Sequence, residues 1–251
     1  MLLYKFVPTQ EIANRVAAGV FRFYELKKYI KIEGGTGRAD AAEGSISFPD
    51  DGSLDFIMKL PRASFNGVEF PCGSISLSEE YLGQFFVFCM SAVKTKQAIV
   101  GCNFAVVLDT DFFSTFEMFL NTGELAPEVS GGEKFFSHGR VEYYDIDNHP
   151  SSIEKERWRE VYFKHSSFSD QEEYRAALKA SDTFFERISA KPWIIERPIS
   201  KPPDGTPFPF NFKLELRSGV DDGGWRYVEF DVSEFQTNIV GVPNVIVTFA
   251  T

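Results

Sequence analysis

Phe85-Phe86-Val87-Phe88-Cys89-Met90 is the most apolar stretch of the chain, and the run from Ile99 to Leu108 is similarly apolar. Nearly continuous apolar runs of this length are typical of β-strands that are covered on both faces. Ser91 follows directly and places a hydroxyl group where the strand ends, a position suited to lining a cleft. We therefore expect both runs to be strands covered on both faces, with the strand that ends at Ser91 at the centre of a sheet.

Outward from this centre, shorter segments show the alternation of half-buried strands. We expect strands near 2–7, 20–24, 45–48, 54–60, 68–77, 140–146, 157–164, 212–216, 226–232 and 245–250. Helices are expected over 10–18, where Thr9 is a suitable N-cap, and over 112–120. Residues 26–32 fit either a short helix or an extended segment. Together these elements predict the α+β class.

Residues 191–210 carry six prolines, so we expect a connector or an extended edge strand there. The tail that follows has 41 residues, which is small for a core of its own. We therefore assign 1–190 to the core, and we expect 191–251, the connector and the C-terminal strands, to pack on the same domain.

The composition excludes several classes of protein. The chain has 251 residues, 27 of them Phe, and a net charge of −10, which argues against simple electrostatic binding to nucleic acid. No apolar run reaches the roughly 18 residues that a membrane helix needs, and no secretion signal is visible, so we expect a cytoplasmic protein without a membrane partner. The three cysteines lack a C-x-x-C pair and are expected to be buried, reduced thiols rather than metal ligands.

The familiar catalytic motifs are missing from the sequence, namely the P-loop, G-x-G-x-x-G, G-x-S-x-G and H-E-x-x-H. The segment 33–44 is more informative, because it combines four glycines with Arg38, Asp40 and Glu43. A glycine-rich backbone lets a phosphate approach N–H groups closely, and an arginine can bind phosphate with two hydrogen bonds. A solvated surface loop is the alternative interpretation.

A second candidate is Gln171-x-Glu173. A glutamate in a cleft can hydrogen-bond a ribose hydroxyl and stabilise the positive charge that develops as a glycosidic bond breaks. On a strand, Gln171 and Glu173 share a face, whereas on a helix they diverge. Propensity favours a helix over 169–178, with a short strand as the rival. In the helical case, Glu172 and Arg175 simply pair at i, i+3.

Taken in order, these pieces resemble a family of bacterial abortive-infection and toxin-like proteins with an ADP-ribosyltransferase-like fold. The resemblance covers roughly residues 2–178. The matching pieces are Tyr4-Lys5-Phe6, Gly19-x-Phe21-Arg22-Phe23, Tyr29-x-x-x-Glu33, Arg38-x-Asp40-x-x-Glu43-Gly44, Phe88-Cys89-Met90-Ser91 and Phe168-x-x-Gln171-x-Glu173-Tyr174-Arg175. The resemblance implies a split, mixed and largely antiparallel β core that binds NAD.

The resemblance also implies a role for each site residue. Glu173 is the catalytic residue, and Gln171 is its partner in choosing the acceptor. Ser91 is the middle-strand hydroxyl, and Tyr29 stacks on nicotinamide. The remaining NAD-binding candidates are Lys5, which stands where the family has His or Arg, and Arg22, Arg38, Asp40 and Glu43.

The function implied is that of an NAD-dependent ADP-ribosyltransferase-like effector, a toxin or a phage-defence protein, that modifies a protein or nucleic acid. Such an activity needs control by a neutralising protein partner. The alternative is a non-catalytic protein-interaction module that binds through the loops 33–44 and 121–137. A phosphodiester-cleaving enzyme with Mg²⁺ held by Asp40, Glu43 and Glu173 ranks last, because no D-x-D or E-x-K cluster supports it.

Overall fold

The apolar run around Phe88 forms the strand on which the largest sheet is built. The structure is a computed structural model, and it describes residues 1–31, 45–47, 62–65, 68–71, 74–76, 82–92, 101–121, 135–145, 159–198, 211–232 and 246–248. The strands are β1 Leu2–Val7, β2 Val20–Glu25, β3 Ser45–Ser47, β4 Arg62–Phe65, β5 Val68–Pro71, β6 Ser74–Ser76, β7 Phe85–Ser91, β8 Phe104–Asp109, β9 Phe136–Arg140, β10 Glu142–Tyr144, β11 Phe163–His165, β12 Glu173–Lys179, β13 Trp193–Pro198, β14 Asn211–Val220, β15 Arg226–Asp231 and β16 Ile246–Thr248. The α-helices are α1 Gln10–Ala17, α2 Leu26–Lys31, α3 Thr110–Asn121 and α4 Asp182–Ala190, and Arg159–Tyr162 and Ser166–Gln171 are 3-10 helices.

Strand β7 lies in the middle of a ten-stranded sheet with the order β13–β14–β15–β2–β7–β1–β8–β16. Strand β12 pairs with the whole length of β7 along its other edge, and β9 lies outside β12. Every described pairing in this sheet is antiparallel, whereas β10 and β11 form a separate parallel pair. The predicted α+β class, with largely antiparallel strands and a few helices, is confirmed at this level. The expected mixed core differs from the ten-stranded sheet, because the parallel pairing of β10 with β11 lies in a separate sheet.

The sheet branches at β7, and the branch positions the candidate site. On the edge opposite β12, β2 pairs with β7 at Phe86 and Val87, whereas β1 pairs with it at Ser91. Lys5 reaches into the opening between β1 and β2, where its Nζ donates a hydrogen bond to the carbonyl oxygen of Cys89 at 2.8 Å. The same ammonium group lies 4.2 Å from the centroid of the Phe88 ring.

One face of the sheet carries the main core, which is rich in phenylalanine. Helices α1, α3 and α4 cover this face and contribute buried side chains such as Val16, Phe116 and Ile188. Phe116 packs edge-on against Phe136 with a centroid distance of 5.0 Å. Edge-to-face packing suits aromatic quadrupoles, and buried rings of this size dominate core energetics. The abundance of Phe in the sequence therefore serves this helix-covered face.

The opposite face of β7 carries a smaller apolar cluster that includes Phe85, Val87 and Ala177, together with Leu26 of α2 and Val161. Side chains alternate between the two faces of a strand. Beyond the apolar cluster, the next residues that β7 and β12 place on this face are polar. They form the candidate site described below.

The helix that propensity favours over 169–178 is wrong. Only 169–171 belong to a 3-10 helix, and Glu173–Lys179 is strand β12. The strand pairs with β7 on one edge and with β9 on the other, and Ala176 and Ala177 are completely buried. Two rows of backbone hydrogen bonds and burial on both faces outweigh the helical preference of Glu and Ala.

Other expectations are corrected in detail. Helix α4 was not predicted, although Ser181 caps it by accepting a hydrogen bond from the Phe184 N–H at 3.2 Å. The segment expected to be extended over 157–164 contains the 3-10 helix Arg159–Tyr162 before β11 begins. The strand expected over 54–60 lies outside the described residues.

The C-terminal strands join the same sheet as the N-terminal ones. Strand β15 pairs with β2, and β16 pairs with β8. Strand β13, within the proline-rich segment, pairs with β14 at one end of the sheet, which fits the expected extended edge. No helix in the described ranges is long and apolar enough to cross a membrane.

Candidate functional site

The carboxylate of Glu173 lies in the sheet beside two buried cations. Arg175 Nε donates to Oε1 at 2.7 Å and its Nη2 donates to Oε2 at 3.2 Å, so the pair is bidentate. Lys164 Nζ donates to Oε2 at 2.9 Å. Glu173 is 7% exposed, Lys164 4% and Arg175 1%, so the three charges are almost completely removed from water. Charge-assisted bonds in such surroundings are strong and geometrically specific.

The local sequence explains how these side chains meet. Glu173 and Arg175 stand two residues apart on β12, so they share one face of the sheet. Lys164 comes from β11, whose pairing with β10 places Tyr143 opposite it. The backbone N–H of Glu173 donates to the Tyr143 hydroxyl at 2.9 Å, which ties β10 to the start of β12. The i, i+3 pair of Glu172 with Arg175 is therefore replaced by an i, i+2 pair of Glu173 with Arg175.

Gln171 lies at the end of the 3-10 helix and also contacts Lys164. Its Oε1 accepts a hydrogen bond from Lys164 Nζ at 3.0 Å, and its backbone carbonyl accepts one from the Ser91 hydroxyl at 2.8 Å. Glu172, between Gln171 and Glu173, has a left-handed backbone with φ of 39°. This conformation is uncommon for a non-glycine residue and marks a sharp change of chain direction. It lets Gln171, although outside the strand, meet Glu173 at the same ammonium group.

Burial alone would raise the pKa of Glu173, but its surroundings reverse the direction. The charges of Arg175 and Lys164, followed by hydrogen bonds from Arg175 and the Cys89 thiol, hold the pKa of this carboxyl well below its ordinary value of 4.5. Opposite charges and donated hydrogen bonds both favour the ionised form. Glu173 is therefore a carboxylate at neutral pH.

Cys89 and Tyr29 extend the cluster on the side of α2. Burial, and then the neighbouring Glu173 carboxylate, raise the pKa of the Cys89 thiol to about 12. Burial and a hydrogen bond with Cys89 raise the pKa of Tyr29 well above 10. Both groups are therefore neutral, and the chain of contacts runs from the Tyr29 hydroxyl through the thiol to the Glu173 carboxylate.

The structure brings some of the sequence-predicted site residues together and leaves others apart. The cluster around the Glu173 carboxylate includes Gln171, Ser91 and Tyr29. Lys5 donates a hydrogen bond to the backbone carbonyl of Cys89 beside it. Arg22 does not join them. Its Nη2 donates to Glu229 of β15 at 2.9 Å, and its guanidinium lies 4.0 Å from the ring centroid of Tyr227. Arg38, Asp40 and Glu43 lie outside the described residues.

Four residues of the cluster were missed as site residues from the sequence, namely Cys89, Lys164, Tyr143 and Arg175. Lys164 and Arg175 belong to the segment around Gln171-x-Glu173. The helix predicted for that segment does not indicate that both side chains contact Glu173. A strand reading would have placed Arg175 on the face of Glu173. Lys164 and Tyr143 come from β11 and β10, and nothing in the sequence indicates that this parallel pair packs over the start of β12.

We expect the Cys89 thiol to be nearly inert in the folded protein. In a variant with Cys72→Ser and Cys102→Ser, the rate of iodoacetamide labelling at pH 8 should be about 10³-fold lower than after unfolding, because a pKa of about 12 leaves very little thiolate. Adding Glu173→Gln should speed the native labelling, since it removes the second cause of the raised pKa. Native and unfolded rates within about tenfold of each other would contradict the described environment.

Comparisons with known proteins identify no relative, because no protein-family model, curated protein or solved structure matches the chain. The chemistry of the cluster is therefore the guide to function. An ionised carboxylate held in a fixed orientation can accept a hydrogen bond from a hydroxyl group or stabilise a developing positive charge. Its two cations add positive potential that suits an anionic ligand.

Proposed function

We propose that the protein is an NAD-dependent ADP-ribosyltransferase-like effector, with Glu173 as its catalytic residue. One observation carries the proposal. Across the adjacent strands β1, β7 and β12, Tyr4 lies opposite Ser91 and Ser91 lies opposite Glu173, so the three form one row on one face of the sheet. The resemblance implies the same order of strands, namely an early strand that carries a His or Arg, where this chain has Lys5, a middle strand with a hydroxyl group and a late strand with the glutamate. The early-strand residue in the observed row is Tyr4, whereas the Lys5 ammonium group lies against Phe88 of the main core.

The chemistry assigned to Glu173 is electrostatic. The bond between the nicotinamide nitrogen and ribose C1′ breaks, its electron pair leaves with nicotinamide, and positive charge develops on the ribose. The fixed carboxylate stabilises that charge until a nucleophile of the acceptor bonds to C1′ and releases its proton to water. A charge preorganised in a water-poor site needs little reorganisation as the reaction proceeds, which makes such stabilisation effective. Gln171, beside Glu173, faces the acceptor.

Two cations at the carboxylate support a ligand that carries phosphates, because Lys164 and Arg175 both contact the single charge of Glu173. Lys5 lies at the branch of the sheet, where its ammonium group contacts the carbonyl oxygen of Cys89 and the ring of Phe88. Local positive charge is needed because the chain as a whole carries a net charge of −10. The acceptor is a macromolecule in this proposal, and a neutralising protein partner controls the activity in the cytoplasm.

A second candidate, a non-catalytic protein-interaction module, is favoured by the way in which Glu173 is held. Both of its carboxylate oxygens already accept hydrogen bonds, and the side chain is 7% exposed. In the catalytic proposal, the hydrogen bond from Lys164 to one of these oxygens has to break when a ribose hydroxyl binds. In the module, the same contacts serve only to stabilise the start of β12.

The two functions are separated by nicotinamide release from NAD, measured with and without cell extract as a source of macromolecular acceptors. We expect turnover by the unmodified protein and a loss of at least about 100-fold in Glu173→Gln. Glu215→Gln is the matched control, because Glu215 also pairs with an arginine two residues later on its strand, Arg217 of β14. Its turnover should stay within about threefold of the unmodified protein.

Folding has to be controlled in this experiment, because Glu173 holds two buried cations. The variant Glu173→Gln with Lys164→Met has the net charge of the unmodified cluster, and it should be equally inactive while retaining its circular dichroism spectrum. Absence of nicotinamide release together with absence of an NAD-dependent rise in melting temperature would reject the catalytic proposal and favour the interaction module.

A further inference from the structure

A second group of polar side chains lies on the face of the sheet opposite to Glu173. Tyr174, the next residue of β12, points toward the helix-covered core, where its hydroxyl oxygen lies 2.5 Å from Nδ1 of His138 on β9. Nε2 of the same imidazole lies 3.2 Å from Oε2 of Glu117 on α3. The three side chains therefore form a chain of hydrogen bonds that joins two strands and a helix.

The contact with Glu117 assigns the proton of the neutral His138 ring to one nitrogen. A carboxylate only accepts hydrogen bonds, so Nε2 is the donor and Nδ1 is left as the acceptor. The Tyr174 hydroxyl group consequently donates its hydrogen bond to Nδ1. A hydroxyl group beside a base, with the base oriented by a third group, is the arrangement that activates nucleophiles in covalent catalysis.

An exposed arginine lies beside this hydroxyl group. Strand β12 begins at Glu173, so Tyr174 is its first side chain on this face, and Arg140 lies opposite it on β9. The Arg140 guanidinium donates to the sulfur of Met1 at 3.0 Å, and among the described residues it has no carboxylate partner. A guanidinium group can bind phosphate with two hydrogen bonds. The rim of the sheet therefore combines a nucleophile, a base and a cation suited to an anionic phosphoryl group.

We propose that Tyr174 is the nucleophile of a second reactive site, which takes a phosphoryl group from a small anionic donor of the acyl phosphate class. The inference does not depend on the proposed function, because it uses the other face of the sheet. The Tyr174 oxygen bonds to phosphorus, the bond from phosphorus to the acyl oxygen breaks, and its electron pair leaves with the carboxylate product. The hydroxyl proton passes to Nδ1 of His138, and Glu117 stabilises the imidazolium that forms.

Two further observations define this reaction. Burial, and then the charge of Glu117, raise the pKa of Tyr174, whereas the charge of Arg140 lowers it. The hydroxyl group therefore keeps its proton until it reacts, and His138 has to act as a general base. Tyr174 is 6% exposed and the His138 side chain 11%, so the space beside the hydroxyl group favours a small donor over a macromolecule.

The probe is acetyl phosphate, and the readout is the rate at which each tyrosine of the folded protein gains a phosphoryl group, measured by peptide mass spectrometry. Tyr174 should react at least about tenfold faster than Tyr227. Tyr227 is the matched control within the same chain. Its ring also lies beside an arginine, with the Arg22 guanidinium 4.0 Å from its centroid, but its hydroxyl group lies over Gly219 instead of beside a histidine.

Two variants separate the base from the cation. His138→Gln should slow the reaction of Tyr174 at least about tenfold and leave that of Tyr227 unchanged, because an amide can contact Glu117 but cannot take up the proton. Arg140→Gln changes an exposed side chain and should slow the same reaction about 3–10-fold through weaker phosphate binding. Circular dichroism spectra verify that both variants fold. A Tyr174 rate in the unmodified protein that is no higher than the Tyr227 rate would overturn the inference, as would a Tyr174 rate that His138→Gln leaves unchanged.

Discussion

Glu173→Gln is expected to lower the free energy of unfolding by about 3–5 kcal/mol at pH 7. The substitution keeps the shape of the side chain but removes the negative charge that Lys164 and Arg175 both contact. These cations are 4% and 1% exposed, so water cannot replace the lost interaction. Breaking a buried pair from one side is costly because the partner charge stays in a medium of low dielectric constant. Urea denaturation followed by fluorescence measures the effect.

The control for this prediction is again Glu215→Gln on β14. Glu215 pairs with Arg217 with the same spacing along the strand, but Arg217 is 57% exposed and keeps its hydration. Exposed pairs contribute about 0–1 kcal/mol, so the loss should be small. Adding Lys164→Met to Glu173→Gln should recover part of the lost stability, because one of the two buried cations is then removed. Equal losses of unfolding free energy in Glu173→Gln and Glu215→Gln would show that burial of the Glu173 cluster does not determine its contribution to stability.

The centre of the fold is predictable from the sequence because its signals are local. The apolar run 85–90 indicates a doubly covered strand, and Thr9 before an amphipathic segment indicates the start of α1, where its hydroxyl accepts from the Ile12 N–H. Strand β12 is not predictable in this way. Its sequence, Glu173-Tyr174-Arg175-Ala176-Ala177-Leu178-Lys179, has helical propensity, and its strand conformation comes from β7 and β9, which are distant in sequence.

The candidate site, too, is only partly predictable from the sequence. The motif Gln171-x-Glu173 is readable from spacing, and Ser91 is readable from its place at the end of an apolar strand. Lys164 and Tyr143 are not, because they reach Glu173 through the parallel pairing of β10 with β11 and not through any motif. Arg22 shows the converse, since it fits the resemblance in sequence but pairs with Glu229 on a neighbouring strand.

The stability of the protein should depend on pH through Glu173, with a sign that follows from its lowered pKa. A carboxyl whose folded pKa lies below its unfolded value of 4.5 stabilises the fold when the pH is above 4.5, and that contribution is lost as the pH falls toward the folded pKa. The unmodified protein should therefore lose stability between about pH 5 and pH 2 more steeply than Glu173→Gln, which has no carboxyl to protonate.

The informative quantity is the difference in unfolding free energy between the two proteins, measured by urea denaturation at several pH values. Asp109 and Asp221 also have lowered pKa values in the fold, opposed by their burial and caused by donated hydrogen bonds and nearby positive charges. Their contributions are common to both proteins and cancel in the difference. The difference should be largest at pH 7 and shrink as the solution is acidified below pH 4.5. A difference that stays constant with pH would mean that the pKa of Glu173 is the same in the folded and unfolded protein, and a difference that falls as the pH rises above 4.5 would mean that Glu173 is protonated in the fold. Either result would remove the electrostatic role assigned to it.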